Sequence, residues 1–179
     1  MVAMAQLCVE RGYRATTIAH IASQAGVARN TVYDNFPNRE ALFLALLEEA
    51  TGELLGQTEA ACLEAGAEGE AKFEAALAAI LKWIAANPAF AWVLLVEAPC
   101  SCPAAFDRHL ETTARFIELL RASVPADIER PEVIEEMLVG GITSILRYLV
   151  HNGEAERAPE LLSTLVAFAG VPYQPDGER

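Results

Sequence analysis

The chain has 179 residues and a formal net charge of −12, with 53% hydrophobic and 21% charged residues. This length accommodates a small domain together with a larger one, and no stretch reaches the roughly 20 apolar residues that a membrane-spanning helix needs. No cleavable signal pattern is seen, and the cysteines at positions 8, 62, 100 and 102 lack disulfide-framework spacing, so we expect a cytoplasmic protein.

Residues 16–43 carry the pattern of a helix-turn-helix, which follows a first helix predicted over residues 1–11. The apolar stripe of its first helix consists of Ile18, Ile21, Ala22 and Ala25. Thr16 or Thr17 can cap the start of this helix through a side-chain oxygen. Gly26 then ends it, because glycine tolerates the left-handed conformation at a helix C-terminus.

A second short helix is predicted over residues 28–36, with Val32 and Phe36 inward, and Asn38 caps the next helix, which opens with Arg39. The outward side chains of the second helix are Arg29, Asn30, Thr31, Tyr33 and Asp34. A recognition helix enters the major groove with its N-terminal turns against base edges. Arginine can grip guanine and asparagine can grip adenine with two hydrogen bonds each. The pattern therefore favours a DNA-reading head.

Short motifs run through the first 45 or so residues. They are Glu10-Arg11-Gly12-Tyr13, Thr16-Thr17, Ile21-Ala22, Ala25-Gly26-Val27, Thr31-Val32-Tyr33, Phe36 and Arg39-Glu40-Ala41-Leu42. In these motifs the chain resembles the tetracycline-repressor (TetR) family of transcriptional regulators. The resemblance implies phosphate contacts from Thr17, Tyr33 and Arg39. It implies base-edge contacts from Arg29, Asn30 and Thr31.

Three positions depart from the family pattern. Ala28 stands where a serine often caps the recognition helix, and Ala19 where many members have a basic residue. Asn35 stands in place of a frequent His or Tyr and is kept as a DNA-contact candidate. These departures leave the operator sequence unpredictable.

Charge is unevenly distributed between the two parts of the chain. Residues 1–47 hold four arginines against three acidic residues, whereas the remainder holds nine basic and 22 acidic residues. A locally basic head on an acidic body is typical of a DNA reader with a separate effector domain. The small excess of positive charge predicts few phosphate contacts and a moderate salt dependence of binding.

The remainder of the chain is predicted to be entirely helical. The helices are expected over residues 40–65, 70–86, 89–96, 104–123, 131–152 and 156–169, with a frayed tail from residue 172. The fold class is thus all-α: a three-helix DNA-binding head over residues 1–47 and a larger helical effector-binding and dimerisation body over residues 48–179.

The last two helices are the candidate assembly surface. The interface residues predicted there are Leu138, Ile142, Ile145, Leu149, Leu162, Leu165 and Val166. Such a pair can form a four-helix bundle with a twofold copy, and Gly140 and Gly141 would suit a close backbone approach. Packing within one chain accounts for the stripes equally well. The resemblance favours a homodimer, because relatives dimerise through this pair.

The middle of the body is the candidate effector site. In the resembled family, the corresponding helices surround a cavity, and the residues predicted to line it are Trp83, Phe90, Trp92, Phe106, His109 and Phe116. Mostly apolar walls with a few polar groups, such as Thr113, Arg115 and Tyr148, would suit a small hydrophobic or aromatic molecule. Aromatic residues at helical spacing are also ordinary core residues.

Metal binding and catalysis have little support in the sequence. Cys100 and Cys102 with His109 offer three candidate ligands, whereas zinc prefers four; no metal or cofactor is predicted. No phosphate loop, HExxH or GxSxG motif is present, and the chain is not predicted to be an enzyme.

The leading hypothesis is a ligand-responsive transcriptional regulator, a homodimeric repressor that binds a pseudo-palindromic operator in double-stranded DNA and is released by a small hydrophobic or aromatic effector. The alternative is a small-molecule or thiol-sensing helical protein whose head has weak or lost DNA binding. Ala19, Ala28 and the acidic total motivate that alternative.

Overall fold

A computed structural model describes residues 1–66, 69–122 and 133–170, and no β-strand occurs within these ranges. The helices are α1 (Val2–Ala15), α2 (Ile18–Ala25), α3 (Arg29–Asn35), α4 (Arg39–Ala65), α5 (Glu70–Ala86), α6 (Pro88–Trp92), α7 (Pro103–Ala122), α8 (Ile134–His151) and α9 (Leu162–Gly170). A π-helical turn, Val93–Glu97, continues α6, and a 3₁₀-helical segment, Ala155–Leu161, precedes α9. The predicted all-α class is confirmed.

The predicted end of the first helix at Arg11 coincides with non-helical backbone at Gly12, after which α1 continues to Ala15. Two other predicted boundaries need correction. The helix expected over residues 89–96 is a short α-helix followed by the π-helical turn. The helix expected from residue 156 begins in 3₁₀ geometry, because Pro159 lacks the N–H that an α-helix needs there. Residues 131–132 and the tail from residue 172 lie outside the described residues.

Helices α1 to α3 pack around the first turns of α4 to form the head. Met4, Cys8, Ile21 and Phe43 are buried there and belong to one continuous core that extends into the body. The rings of Tyr13 and Phe43 lie with their centroids 4.4 Å apart. Since α4 has 27 residues, it spans about 40 Å at 1.5 Å per residue. It therefore links the head directly to the body, and the domain boundary near residue 47 stays a prediction.

No single helix among the described residues is long and apolar enough to cross a membrane. The pair Ala71–Ala86 and Pro88–Glu97 passes that test on length and composition together, but it is bent by 107° at the break.

Gly12 interrupts α1 at φ 78° and ψ 159°. Backbone of this kind is essentially restricted to glycine, and an added Cβ would lie 3.4 Å from Glu97 Oε1. We expect Gly12→Ala to lower the free energy of unfolding by about 1–3 kcal/mol, measured by urea denaturation. Gly52→Ala is the matched control: Gly52 lies inside α4 with open space around a Cβ, and this change should stabilise by up to about 1 kcal/mol. Equal behaviour of the two variants would contradict the assigned backbone strain.

Candidate DNA-contacting head and effector cavity

The turn of the helix-turn-helix forms from the predicted capping residues. The Thr17 hydroxyl accepts a hydrogen bond from the His20 N–H at 3.2 Å, which caps the start of α2. Gly26 ends α2 in the left-handed conformation at φ 69°, and its N–H bonds back to α2 carbonyls. Thr16 has a separate role: it is buried, and its hydroxyl donates to the Gly12 carbonyl at 2.9 Å. The Gly26 conformation thus shapes the turn between α2 and α3, and the Thr17 cap defines the start of α2.

Helix α3 presents the predicted contact residues to solvent. Val32 is buried against the head, whereas Arg29, Asn30, Thr31 and Tyr33 are exposed. Ala28 occupies the N-cap position and makes no side-chain capping bond, as expected from the missing serine. The assignment of these four residues to DNA contact stays a prediction, supported by their shared exposed surface.

Two further contact candidates are held by bonds within the head. The Asn35 side-chain amide donates to the Thr31 carbonyl of its own helix at 2.8 Å, so part of its donor capacity is already used. The Thr17 hydroxyl, used as an acceptor by the cap, still has its own proton to donate. Thr17 therefore remains compatible with a phosphate contact, and Asn35 is a weaker candidate.

Arg39 ties the start of α4 to the end of α1. Its Nη1 lies 3.3 Å from the Tyr13 carbonyl oxygen, 3.1 Å from that of Arg14 and 2.6 Å from that of Thr16. Its guanidinium carbon lies 4.3 Å from the centre of the Tyr13 ring, in cation–π contact. The sequence predicts a phosphate contact for Arg39, and that role remains a prediction, but the structure gives the residue an internal role that spacing did not reveal.

A cavity of about 120 Å³ lies in the body, between α4, α5, α7, α8 and the segment around the π-helical turn. Its wall is mostly apolar, and the polar side chains in it are five threonines, Cys62, Arg108 and His109. The threonines are Thr51, Thr58, Thr112, Thr113 and Thr143. The apolar lining includes Leu47, Leu54, Phe73, Leu77, Ile80, Leu95, Leu120 and Leu146.

Three of the six aromatic or histidine candidates meet at this cavity. Trp83, His109 and Phe116 line it, whereas Phe90, Trp92 and Phe106 do not. Trp92 stacks instead on His151, with ring centroids 5.4 Å apart, and Phe106 is 44% exposed. Those three residues therefore lie outside the cavity wall, and the ligand contact predicted for them has no support from this cavity. Their helices were assigned rightly, but periodicity alone does not say which face of a buried helix borders the cavity.

The α4 wall of the cavity was not predicted. It is formed by Leu47, Thr51, Leu54, Thr58 and Cys62. These positions recur every three or four residues and thus lie on one face of the helix. This spacing is visible in the sequence. A stripe of leucines and threonines, however, is as typical of a helix face packed in the core as of a cavity wall.

The polar groups of the cavity are mostly neutral or already bonded. Burial, with a smaller contribution from the Arg147 charge, lowers the pKa of His109 below its usual value of 6.5, so the imidazole is uncharged at neutral pH. Arg108 is exposed and forms a 3.3 Å ion pair with Glu111. Arg147 donates to the Leu95 carbonyl at 2.7 Å, which anchors α8 to the π-helical turn. The cavity therefore suits an apolar compound better than a deeply buried ion.

The cysteines differ in accessibility. Burial raises the pKa of the Cys8 thiol to about 12, helped by the nearby Glu97 carboxylate, and burial also raises the pKa of Cys62. Both thiols are thus poor nucleophiles. Cys100 is exposed and directs its thiol toward the Val96 carbonyl oxygen at 3.3 Å. The described residues contain no group of three or more His, Cys, Asp or Glu side chains that could hold a metal ion.

Residues 1–46 match the family described as "Bacterial regulatory proteins, tetR family". The head is thus similar to the helix-turn-helix domain of that family. The resemblance found in the sequence is thus confirmed over the head.

A relative found by sequence matches about a third of the chain. The chain is 46% identical over 57 residues to an uncharacterised HTH-type transcriptional regulator, YvkB, of Bacillus subtilis strain 168, a match that covers 30% of each protein. The chain therefore spans only about a third of the length of this curated relative in the alignment.

Structural similarity extends over nearly the whole chain. The fatty acid degradation regulator FadR of Bacillus halodurans aligns with a TM-score of 0.82 at 21% identity, over 97% of this chain and 94% of FadR. The transcriptional regulator FadR of Bacillus subtilis, solved in complex with stearoyl-CoA, aligns with a TM-score of 0.79 at 20% identity, over 94% of both chains. At such identities the likeness shows a shared fold: the TetR-type head continues into a body of the same architecture.

Helices α8 and α9 present an apolar surface to solvent. Its exposed members are Met137, Ile145, Tyr148 and Phe168, and we call this surface the α8–α9 face. Gly141 lies beneath it, because an added Cβ there would meet the Phe168 ring at 3.7 Å. A Cβ added at Gly140 would meet no neighbouring atom within 4 Å. The neighbour of Gly141 is thus a side chain of the same protomer at ordinary van der Waals distance, and the close backbone approach between two copies stays a prediction.

Four of the seven predicted interface residues are buried within the protomer, and the interface itself stays a prediction. Leu138, Ile142, Leu149 and Leu165 are buried inside the protomer, so their side chains support the α8–α9 face from beneath. Ile145 is 43% exposed, and Leu162 and Val166 are half-buried. A helix that packs on its own body and on a second copy carries two adjacent apolar stripes, and the sequence does not say which stripe faces outward.

Proposed function

We propose that this protein is a homodimeric, DNA-binding transcriptional regulator, a repressor that leaves its operator when a small, mostly apolar effector occupies the body cavity. The observation that carries the proposal is the TetR-type head in which Arg29, Asn30, Thr31 and Tyr33 are all exposed on the short helix α3. The FadR of Bacillus subtilis, with the same fold and a bound stearoyl-CoA, supports a ligand-responsive role for the body.

The size of the cavity bears on the effector. An apolar cavity of about 150 Å³ in another protein holds benzene, and the cavity here measures about 120 Å³. A compound of roughly this size fits the structure as it stands, whereas an acyl chain as long as stearoyl requires the wall to open. We therefore favour a small aromatic or short acyl compound.

Two elements connect the cavity to the head. Helix α4 borders the cavity at Thr51 and Thr58 and starts in the head at Arg39. The π-helical turn borders it at Leu95, while Glu97 at its end lies against Gly12 of α1. An effector that prefers a displaced arrangement of these walls would shift the population toward conformations in which two heads no longer match the operator.

Arg29 provides the sharpest test of the recognition helix. Its side chain is exposed and forms no ion pair with the described residues, so it is available to a base edge. We expect Arg29→Ala to weaken specific operator binding by about 1–3 kcal/mol, or roughly tenfold to a hundredfold, in a mobility-shift assay on an operator selected from genomic fragments.

Arg14→Ala is the matched control, because it removes the same charge from an exposed site on α1. It should weaken binding to the operator and to random DNA by the same factor and should lower the salt dependence of both affinities. The preference for the operator over random DNA should stay unchanged. Unchanged specific binding of Arg29→Ala would refute the recognition surface. Failure of the unmodified protein to enrich any fragment at low salt would favour the alternative, a sensing protein whose head has lost DNA binding.

A further inference from the structure

Trp83 is a buried residue of the cavity wall whose indole N–H has no hydrogen-bond partner among the described residues. It is one of the largest side chains in the wall and is only 1% exposed. Its indole Nε1–H is also buried and has no hydrogen-bond acceptor among the described residues. Trp92, the second tryptophan of the chain, has an unpaired indole N–H as well but lies outside the cavity wall.

An unpaired donor in this position is unfavourable for the protein alone. A buried tryptophan N–H usually finds a partner, and leaving a buried donor unsatisfied costs about 1–3 kcal/mol. The Nε1 atom is not open to the cavity as it stands, so a compound that displaces the neighbouring wall and presents an acceptor to the indole removes this cost. The recovered free energy then adds to the binding affinity of the compound. Compounds that carry such an acceptor are therefore bound more tightly than those without one.

The neighbouring polar groups restrict what that acceptor can be. Three of the five cavity threonines already donate to carbonyl oxygens one turn earlier in their own helices: Thr58 to Leu54 at 2.7 Å, Thr112 to Arg108 at 2.9 Å and Thr113 to His109 at 2.9 Å. Of the residues that line the cavity, only Arg108 carries a full positive charge, and its side chain is 61% exposed beside Glu111. A carboxylate buried beside Trp83 would therefore lack a compensating cation.

We infer that the effector is a carbonyl compound with an apolar skeleton, a ketone, ester or thioester, whose uncharged oxygen accepts the Trp83 indole N–H. This inference rests on the proposed function for the existence of an effector at this site, and it adds the chemical group that the site selects. An anionic part of a larger compound would remain at the Arg108 end, where solvent and a guanidinium can stabilise it.

The test uses pairs of compounds that differ only in the acceptor. Acetophenone and α-methylstyrene have nearly the same shape, with a carbonyl oxygen in one and a CH₂ group in the other; 2-octanone and 2-methyl-1-octene form an aliphatic pair. Dissociation constants are measured in sealed cells for the unmodified protein and for Trp83→Phe. We expect this change to weaken ketone binding by about tenfold and to alter binding of the alkenes by less than about twofold.

Trp92→Phe is the matched control, since it removes the other buried, unpaired indole without touching the cavity wall. It should leave all four dissociation constants unchanged. It also leaves a single indole N–H signal in the ¹⁵N spectrum, that of Trp83, so this signal can be followed with Trp83 in place even if Trp83→Phe does not fold. Acetophenone should move the signal downfield, as a new hydrogen bond requires, and α-methylstyrene should not.

The outcomes separate the inference from the function on which it rests. Equal losses of ketone and alkene binding in Trp83→Phe, or the same indole shift with both compounds, would show that Trp83 only fills space and would overturn the inference. Binding of none of the four compounds by the unmodified protein, as measured by the same titrations, would overturn the inference together with the proposed cavity effector. A selective response to the ketones supports both.

Discussion

Replacing Ile145 by glutamate is expected to convert the proposed dimer into a monomer. Ile145 lies on the α8–α9 face, 43% exposed, with Tyr148 beside it on the same helix and 67% exposed. In the proposed dimer these side chains would be covered by the second copy, and a carboxylate placed there would be buried without a partner. The molar mass should fall from that of two chains to that of one in sedimentation velocity or light scattering.

Operator binding should fall together with dimerisation. Two linked heads bind neighbouring half-sites with an advantage of about 10²–10⁴-fold over a single head, so Ile145→Glu should lose about a hundredfold or more in operator affinity while α3 is unchanged. Leu63→Glu is the control, because Leu63 is 82% exposed on α4, away from the α8–α9 face. A dimer that persists in Ile145→Glu would place the interface elsewhere.

Replacing Arg39 by alanine is expected to destabilise the protein in the absence of DNA. The change removes a guanidinium that reaches three carbonyl oxygens and covers the Tyr13 ring. Hydrogen bonds to charged groups contribute about 1.5–3 kcal/mol and a cation–π contact about 0.5–2 kcal/mol. We expect a net loss of about 2–3 kcal/mol because part of the site is solvated, which corresponds to roughly 5–10 °C in Tm for a chain of this size.

Two further variants show whether the effect arises from geometry or from charge. Arg39→Lys keeps the charge but lacks the planar guanidinium that lies on the Tyr13 ring and donates to several carbonyl oxygens. It should recover less than half of the stability that Arg39→Ala loses. Arg14→Ala removes an exposed arginine of the same head and should shift Tm by no more than about 1–2 °C. If Arg39→Ala melts like the unmodified protein and only DNA binding suffers, Arg39 is a phosphate contact and not an internal clamp.

The head could be predicted in detail because its determinants are local. A threonine cap at Thr17, a left-handed Gly26 and an Asn38 cap each act within a few residues of the chain, and all three form as expected. The exposed side chains of α3 follow from the helical period of the apolar residues. When Val32 packs against the head, its neighbours on the helix face solvent. The break at Gly12 also follows the predicted end of the first helix at Arg11, and its backbone at φ 78° suits a glycine.

The cavity and the α8–α9 face could be located only to the level of helices. Trp83, His109 and Phe116 were found there, but Phe90, Trp92 and Phe106 were assigned to the same cavity on equal grounds. Both kinds of position are apolar and recur at helical spacing. The difference between them lies in how α5, α6 and α7 are rotated about their axes, and this rotation is set by packing against distant helices.

The sequence by itself thus determined the all-α class, the helix-turn-helix and the surface that α3 presents, because caps and hydrophobic period are properties of neighbouring residues. Tertiary structure decided the rest: that Arg39 turns back onto three carbonyl oxygens, that Leu138 and Leu165 are core residues, and that the Trp83 indole lies unpaired in a cavity wall. Each of these depends on which surfaces of separate helices meet. The residues that a side chain contacts across a core depend on how the whole chain packs. They cannot be inferred from the neighbouring residues in the sequence.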